Sequence, residues 1–320
     1  MRWAIKTSPD HSHPDDDIRP IYLILGMLCL TLEIILSLGL ASMVKSIKDA
    51  VPFFTILLAR YTFCLPLLFI YGVWQRGTDV LKISNWNTLI LRIISGMLGL
   101  FTWFGAVIYI DISLASAFFQ TLPIFITIMA PILIAERVGW NRIGAVFVGF
   151  LGVMVLVWEK INAPSFSDSG VAFGIALALA SPFFAAIMFL MLRQLGKSNP
   201  PATTALWYNT SGMVVSLMLV LWLGEDMVAV LPYLPILILI GVLASFQQFL
   251  MAASHAYAPA SVLAPVHFLT IPFGILAGAM FFGERPSMWF YFGAAIILLA
   301  NSYIIMREHK RQKALSERNA

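Results

Sequence analysis

From Ile21 to Met306 the chain is a succession of apolar runs about 20 residues long, separated by brief polar or glycine- and proline-containing breaks. A helix of that length crosses the roughly 30 Å hydrocarbon core of a bilayer with its backbone amides paired inside the segment. The pattern predicts ten spans, near 21–42, 51–73, 89–109, 112–134, 140–158, 169–191, 203–223, 231–252, 259–281 and 288–306. The connections are short, and the longest, from about Glu159 to Asp168, is too brief to hold a soluble domain. Any ligand site must therefore be built from the helices themselves.

Half of this pattern is written again. The stretch from Trp103 to Arg137 aligns without a gap on Met251 to Arg285, setting Tyr109 on Tyr257, Ser113 on Ser261 and Glu136-Arg137 on Glu284-Arg285. The same offset of 148 residues sets Gly26 on Gly174, Lys45 on Arg193 and Pro52 on Pro200. Several matches at one spacing indicate an internal duplication. The expected organisation is a polar tail at 1–20, a first repeat at 21–158, a second at 169–306 and a basic tail at 307–320. Five spans per repeat is an odd number, so the second copy would lie inverted in the membrane relative to the first. The expected fold class is an all-α integral membrane protein of ten transmembrane helices arranged as two inverted five-helix repeats.

Composition removes the soluble alternative. Sixty per cent of residues are hydrophobic, the mean hydropathy is +0.88 and 11% are charged, against about 25% in soluble domains. The net charge of +4 reads as a topology signal rather than a nucleic-acid surface, because it sits in short loops and the C-terminal tail. With a cytoplasmic N-terminus, fifteen of the 20 Lys and Arg fall inside; Lys45, Lys48, Lys160 and Arg285 fall outside, and Arg60 lies within a span. That bias places both termini in the cytoplasm of a cell inner membrane. Cys29 and Cys64 lie in apolar runs, and no HExxH, GxSxG or GxxxxGK motif occurs. No enzyme activity, cofactor, metal or nucleic-acid partner is expected. The DHSHPDDD run reads as a disordered tail.

Small residues recur at helical spacing as Gly170, Gly174 and Ala178, as Gly274 and Gly278, and as Ala145 and Gly149, where close helix packing needs them. Pro123, Pro131, Pro182, Pro265 and Pro272 interrupt spans four, six and nine. Each removes a backbone donor and bends its helix, so broken spans in both halves point to a central cavity.

These features resemble the drug/metabolite transporter superfamily, in particular its EamA-type ten-span members. The resemblance is carried by Lys45 at the end of span one, Arg60-Tyr61 in span two, the run from Leu114 through Pro123 to Glu136-Arg137 with its second copy from Ser261 to Glu284-Arg285, and GAVFVGFLGVMVLV from Gly144. It implies inverted halves around a central cavity and gradient-driven transport of a small metabolite. Export of an amino-acid-like or amphipathic compound leads, with uptake of a vitamin-like compound such as riboflavin as the runner-up; a pore or lipid-handling protein is the rival class. Glu33 in span one and His267 in span nine depart from the commoner pattern.

Polar side chains within the spans are the independent route to a site. A charge at a helix centre costs about 2.5 to 3.5 kcal/mol on insertion scales, which singles out Glu33 and Arg60. Counting along spans one and two puts both at similar depth, so the two are expected to pair and to take part in cargo or proton coupling. Gln120, Asn209, Gln247, Gln248 and His267 either line a cavity or bridge helices, and Trp103, Trp207 and Tyr208 either stack on cargo or pack. Glu136 and Glu284, at equivalent ends of spans four and nine, read as gates or interfacial anchors. The expected partners are a small-molecule substrate, membrane lipid and a proton as coupling ion.

Overall fold

The computed structural model describes residues 20–134, 140–161, 169–195, 199, 201–226, 230–258, 263 and 266–319. Among them the chain forms helices and no strands: α1 Pro20–Ile47, α2 Phe53–Arg76, α3 Trp86–Tyr109, α4 Ile112–Phe119, α5 Leu122–Ile134, α6 Trp140–Ile161, α7 Ser169–Leu195, α8 Pro201–Leu223, α9 Leu234–Tyr257, α10 Thr270–Phe282 and α11 Met288–Asn319. Short 3-10 turns occupy Gly77–Leu81 and Leu231–Tyr233. Eight segments are long and apolar enough to cross a membrane, with α4 and α5 together making one of them. The apolar part of α6, Gly144–Trp158, and α10 are shorter. The protein is thus an all-α, multi-pass membrane protein in which eight of the ten predicted spans reach full length among the described residues.

Helix bounds repeat at the spacing found in the sequence. α2 begins at Phe53 and α8 at Pro201; α3 runs Trp86–Tyr109 and α9 Leu234–Tyr257; α5 runs Leu122–Ile134 and α10 Thr270–Phe282. Packing follows the same exchange, with α3 along α7 and α1 along α9, while α2 meets α8 and α6 meets α11. The glycine ridges sit at helix contacts, Gly174 of α7 against α3, Gly149 of α6 against α5 and Gly274 of α10 against α4. A Cβ added to Gly174 would come within 2.7 Å of Tyr109, and one on Gly149 would run into Ile124, so the helices approach closely where the glycines carry no side chain.

The predicted span at 112–134 is interrupted. The Gln120 amide is shared between the carbonyls of Ser116 and Ala117, and α5 restarts at Leu122 with Pro123 in its first turn. Proline is tolerated there because the first amides of a helix have no intrahelical acceptor to lose. Leu30, Ile34, Leu57, Tyr61, Phe104 and Phe118 belong to the main core, all of them buried. The outward surface is the inverse of a soluble protein's: Trp222 is 81% exposed, Met280 75% and Trp74 75%. Such a contiguous apolar exterior is a surface for lipid.

Candidate functional site

A polar and aromatic network crosses the packed face of α1, α2, α3, α8 and α9. Gln247 on α9 donates from Nε2 to Glu33 Oε1 on α1 at 2.9 Å. The next residue along α9, Gln248, donates to Asn209 Oδ1 on α8 at 3.2 Å, and Asn209 returns its Nδ2 to the Ala205 carbonyl at 2.8 Å. One residue earlier on α8, the Tyr208 hydroxyl donates to the Gly96 carbonyl on α3 at 3.2 Å. That commits its only proton, so the Tyr61 hydroxyl, 3.2 Å away, donates to Tyr208. The two rings meet edge to face with centroids 5.8 Å apart.

Two arginines flank this tyrosine pair. The Arg60 guanidinium lies over Tyr61 and Phe104 at 5.4 and 5.8 Å, and that of Arg92 over Tyr208 at 4.4 Å. Both side chains are buried, and Nε and Nη1 of each have no hydrogen-bond partner among the described residues. Gly212 and Gly96 make room for the platform: a Cβ at Gly212 would sit 2.5 Å from the Tyr61 ring, and one at Gly96 would sit 3.0 Å from Tyr208.

Glu33 and Arg60 do not pair. Glu33 is held by Gln247, and the ion pairs among the described residues join Lys45 to Glu284, Lys48 to Asp49 and Lys82 to Asp79. The cause is packing order: α1 lies against α9, whereas α2 lies against α8 and α9. Both helices therefore share α9 as a neighbour, but Glu33 turns to Gln247 on it while Arg60 turns to the rings of Tyr61 and Phe104.

A second polar cluster closes one end of the bundle. Glu284, beyond the end of α10, accepts from Lys45 Nζ at 2.9 Å and from the Ile112 amide at 2.9 Å through Oε1; its Oε2 accepts from the Ser113 amide at 3.2 Å and the Ser113 hydroxyl at 2.9 Å. Lys45 also donates to the Ile110 carbonyl at 2.9 Å and lies over the Phe282 ring. The carboxylate thus caps α4 from outside its own helix, where a negative charge meets the free N-terminal amides. Glu225 does the same for α2, accepting from the Thr55 amide and hydroxyl at 2.9 and 2.6 Å.

The remaining candidates divide. Gln120 donates to the His267 carbonyl and its own carbonyl accepts from Asn301, so these residues tie the break between α4 and α5 to the start of α10 and to α11. Thr270 also donates to the His267 carbonyl. Trp207 donates to the Leu81 carbonyl at 3.2 Å and packs edge to face on Trp86, which fixes it at the 3-10 turn after α2, away from the tyrosine platform. Trp103 packs on Phe119. Glu136, Ser261 and Pro265 lie outside the described residues. Arg92 is the residue that sequence reading missed, because a span expected from residue 89 leaves it among the interfacial charges. Its helix starts at Trp86, which moves Arg92 into the second turn. Gly96 and Gly99, four and seven residues on, marked the same face for close packing.

Comparison with known proteins adds the family context. The EamA-like transporter family profile matches residues 21–158 and 172–306. The chain is 28% identical over 286 residues to a riboflavin transporter of Vibrio cholerae, covering 86% of this chain and 89% of that one. It is also 28% identical to a riboflavin transporter of Rhizobium johnstonii over 79% of this chain and 80% of that one. An S-adenosylmethionine uptake transporter of Rickettsia bellii is 25% identical over 80% of this chain and 85% of that one. A solved crystal structure shares the fold with a TM-score of 0.56 at 17% identity, covering 89% of this chain and 97% of that one.

Proposed function

Because this chain belongs to the EamA-like transporter family, we propose that it is a secondary carrier taking up a small heteroaromatic metabolite across the inner membrane by alternating access. The observation that carries the reading is the partly buried network from Glu33 through Gln247, Gln248 and Asn209 to Tyr208 and Tyr61, which joins helices of both halves of the chain. Polar groups placed on the contact between two halves are positioned to bind cargo and to be remade when the halves rock. The relative named as an S-adenosylmethionine uptake transporter favours import over the export expected from the sequence, and those named as riboflavin transporters add a second heteroaromatic cargo. A flat ring system also suits a site built from tyrosines.

In this reading the halves are inverted five-helix repeats with both termini cytoplasmic. The Lys45–Glu284 clasp shuts the outer end, and a proton moves through Glu33. Support for inversion comes from the odd number of predicted spans per repeat and from helix bounds that recur at one offset; support for orientation is the charge bias. Glu33 suits coupling because it is the one acidic residue within the eight long apolar segments, and the amide of Gln247 can donate to its carboxyl in either protonation state.

Counterflow in proteoliposomes tests the carrier. Vesicles preloaded with unlabelled riboflavin or S-adenosylmethionine should take up the labelled compound in a saturable, trans-stimulated manner. Linear flux without saturation or trans-stimulation would mean a pore and end the reading.

A further inference from the structure

Arg60 and Arg92 are buried to 4% and 6% exposure inside the bundle, yet neither has an anionic partner among the described residues. No ion pair among the described residues involves either. The two buried acidic residues among the described ones are committed elsewhere, Glu33 to Gln247 and Glu284 to Lys45 and the start of α4. Two uncompensated cations in a low-dielectric interior are expensive to keep, and helix packing alone gives no reason to keep them. Their surroundings are arranged to hold the charge without neutralising it. Each guanidinium lies over the face of one tyrosine of a locked pair. A ring face steadies a guanidinium from above and leaves its in-plane N–H fork free, and Nε and Nη1 of both are unpartnered.

Resting on the carrier reading above, we propose that Arg60 and Arg92, on the Tyr61–Tyr208 platform, form a subsite for an anionic group of the cargo, a carboxylate or a phosphate. The fork geometry of arginine matches both anions bidentately. The cargo is then an aromatic metabolite that carries a negative group, so an uncharged flavin satisfies only part of the site.

Two pairs of compounds that differ by one anionic group test this, with the full chain in lipid nanodiscs at constant ionic strength. Riboflavin against riboflavin 5′-phosphate probes phosphate, and S-adenosylmethionine against its decarboxylated form probes carboxylate. At least one anion-bearing member should bind about tenfold or more tightly than its partner, as a charge-assisted contact in a dry site gives. The pair that shows the gap identifies the anion. Arg60→Gln and Arg92→Gln should each shrink the gap, weakening the anion-bearing member by a larger factor than the anion-free one. Arg60→Lys and Arg92→Lys, which keep the charge but lose the fork, should fall between. Equal affinity within both pairs, no binding by any of the four, or a gap that survives both Gln substitutions would overturn the subsite. Counterflow separates the two levels: exchange without anion preference removes the subsite and leaves the carrier, and anion preference without exchange does the reverse.

Discussion

Lys45 and Glu284 meet at 2.9 Å, and between them the ammonium, the carboxylate, the Ile110 carbonyl and the first amides of α4 are all satisfied. Arg60 and Arg92 are buried more deeply than Lys45, but with tyrosine faces in place of counter-ions and with hydrogen-bond donors unspent. Both clusters hold basic side chains largely out of solvent, one at an end of the bundle and one within it. The difference between them separates two uses of buried charge. A cluster closed on itself holds helix ends in register, and a cluster left open keeps donors that no described residue takes up.

The sharpest way to break the comparison is at the closed end. Glu284→Gln leaves the Lys45 ammonium buried without its carboxylate and weakens the cap on α4, so stability should fall by about 3 kcal/mol or more. Thermal or denaturant unfolding in nanodiscs would register it. Lys45→Met together with Glu284→Met should cost less than the sum of the single changes, because a pair replaced by apolar groups leaves no orphaned charge.

Next in size is the tyrosine platform. Gly212→Ala pushes a methyl group into the Tyr61 ring. Overpacking of this kind costs about 1 to 3 kcal/mol and should move Tyr61 off Tyr208, lowering cargo affinity as well as the unfolding midpoint. An affinity unchanged beside a lowered midpoint would detach the platform from recognition.

Glu33→Gln should have a small effect on stability, since Gln247 can still donate to the new side-chain carbonyl. Its effect belongs to coupling: cargo exchange at equal pH should persist, and the extra flux driven by an imposed pH gradient should vanish. Wild-type pH dependence in this variant would remove Glu33 from the coupling role.

The smallest effect is expected at Trp207→Phe. The change forfeits one hydrogen bond to the Leu81 carbonyl, worth about 1 kcal/mol. Cargo affinity should stay at the wild-type level, because the indole is tied to a turn outside the platform. A loss of affinity would extend the site toward the start of α8.

Much of the fold could be read from the chain because run length and repeat spacing are properties of sequence alone. The offset of 148 residues found between Ser113 and Ser261 also relates the bounds of α3 to those of α9. The break at Gln120 was less visible, because Pro123 alone does not show which preceding residue ends the helix. Site chemistry was legible in residue type and illegible in direction. Glu33 and Arg60 stood out as charges in apolar runs, but their partners depend on rotation about each helix axis and on which helices touch, and α1 turns out to face α9. Arg92 was hidden by a boundary error of three residues, enough to move a charge from the interface into the bundle. Gln120 and His267 were conspicuous as polar residues, yet the break in the helix uses the Gln120 side chain and the His267 carbonyl.

The claim that the open cluster serves recognition rather than cohesion is tested most directly by the unfolding midpoint of Arg92→Gln in the absence of cargo. Losing the cation–π contact with Tyr208 costs about 0.5 to 2 kcal/mol, while relief of a buried unpaired charge is worth several kcal/mol. The account therefore predicts a midpoint equal to or above that of the wild type, beside the clear fall expected for Glu284→Gln. A drop in Arg92→Gln as large as that in Glu284→Gln would show that the arginine holds the bundle together, and would contradict it.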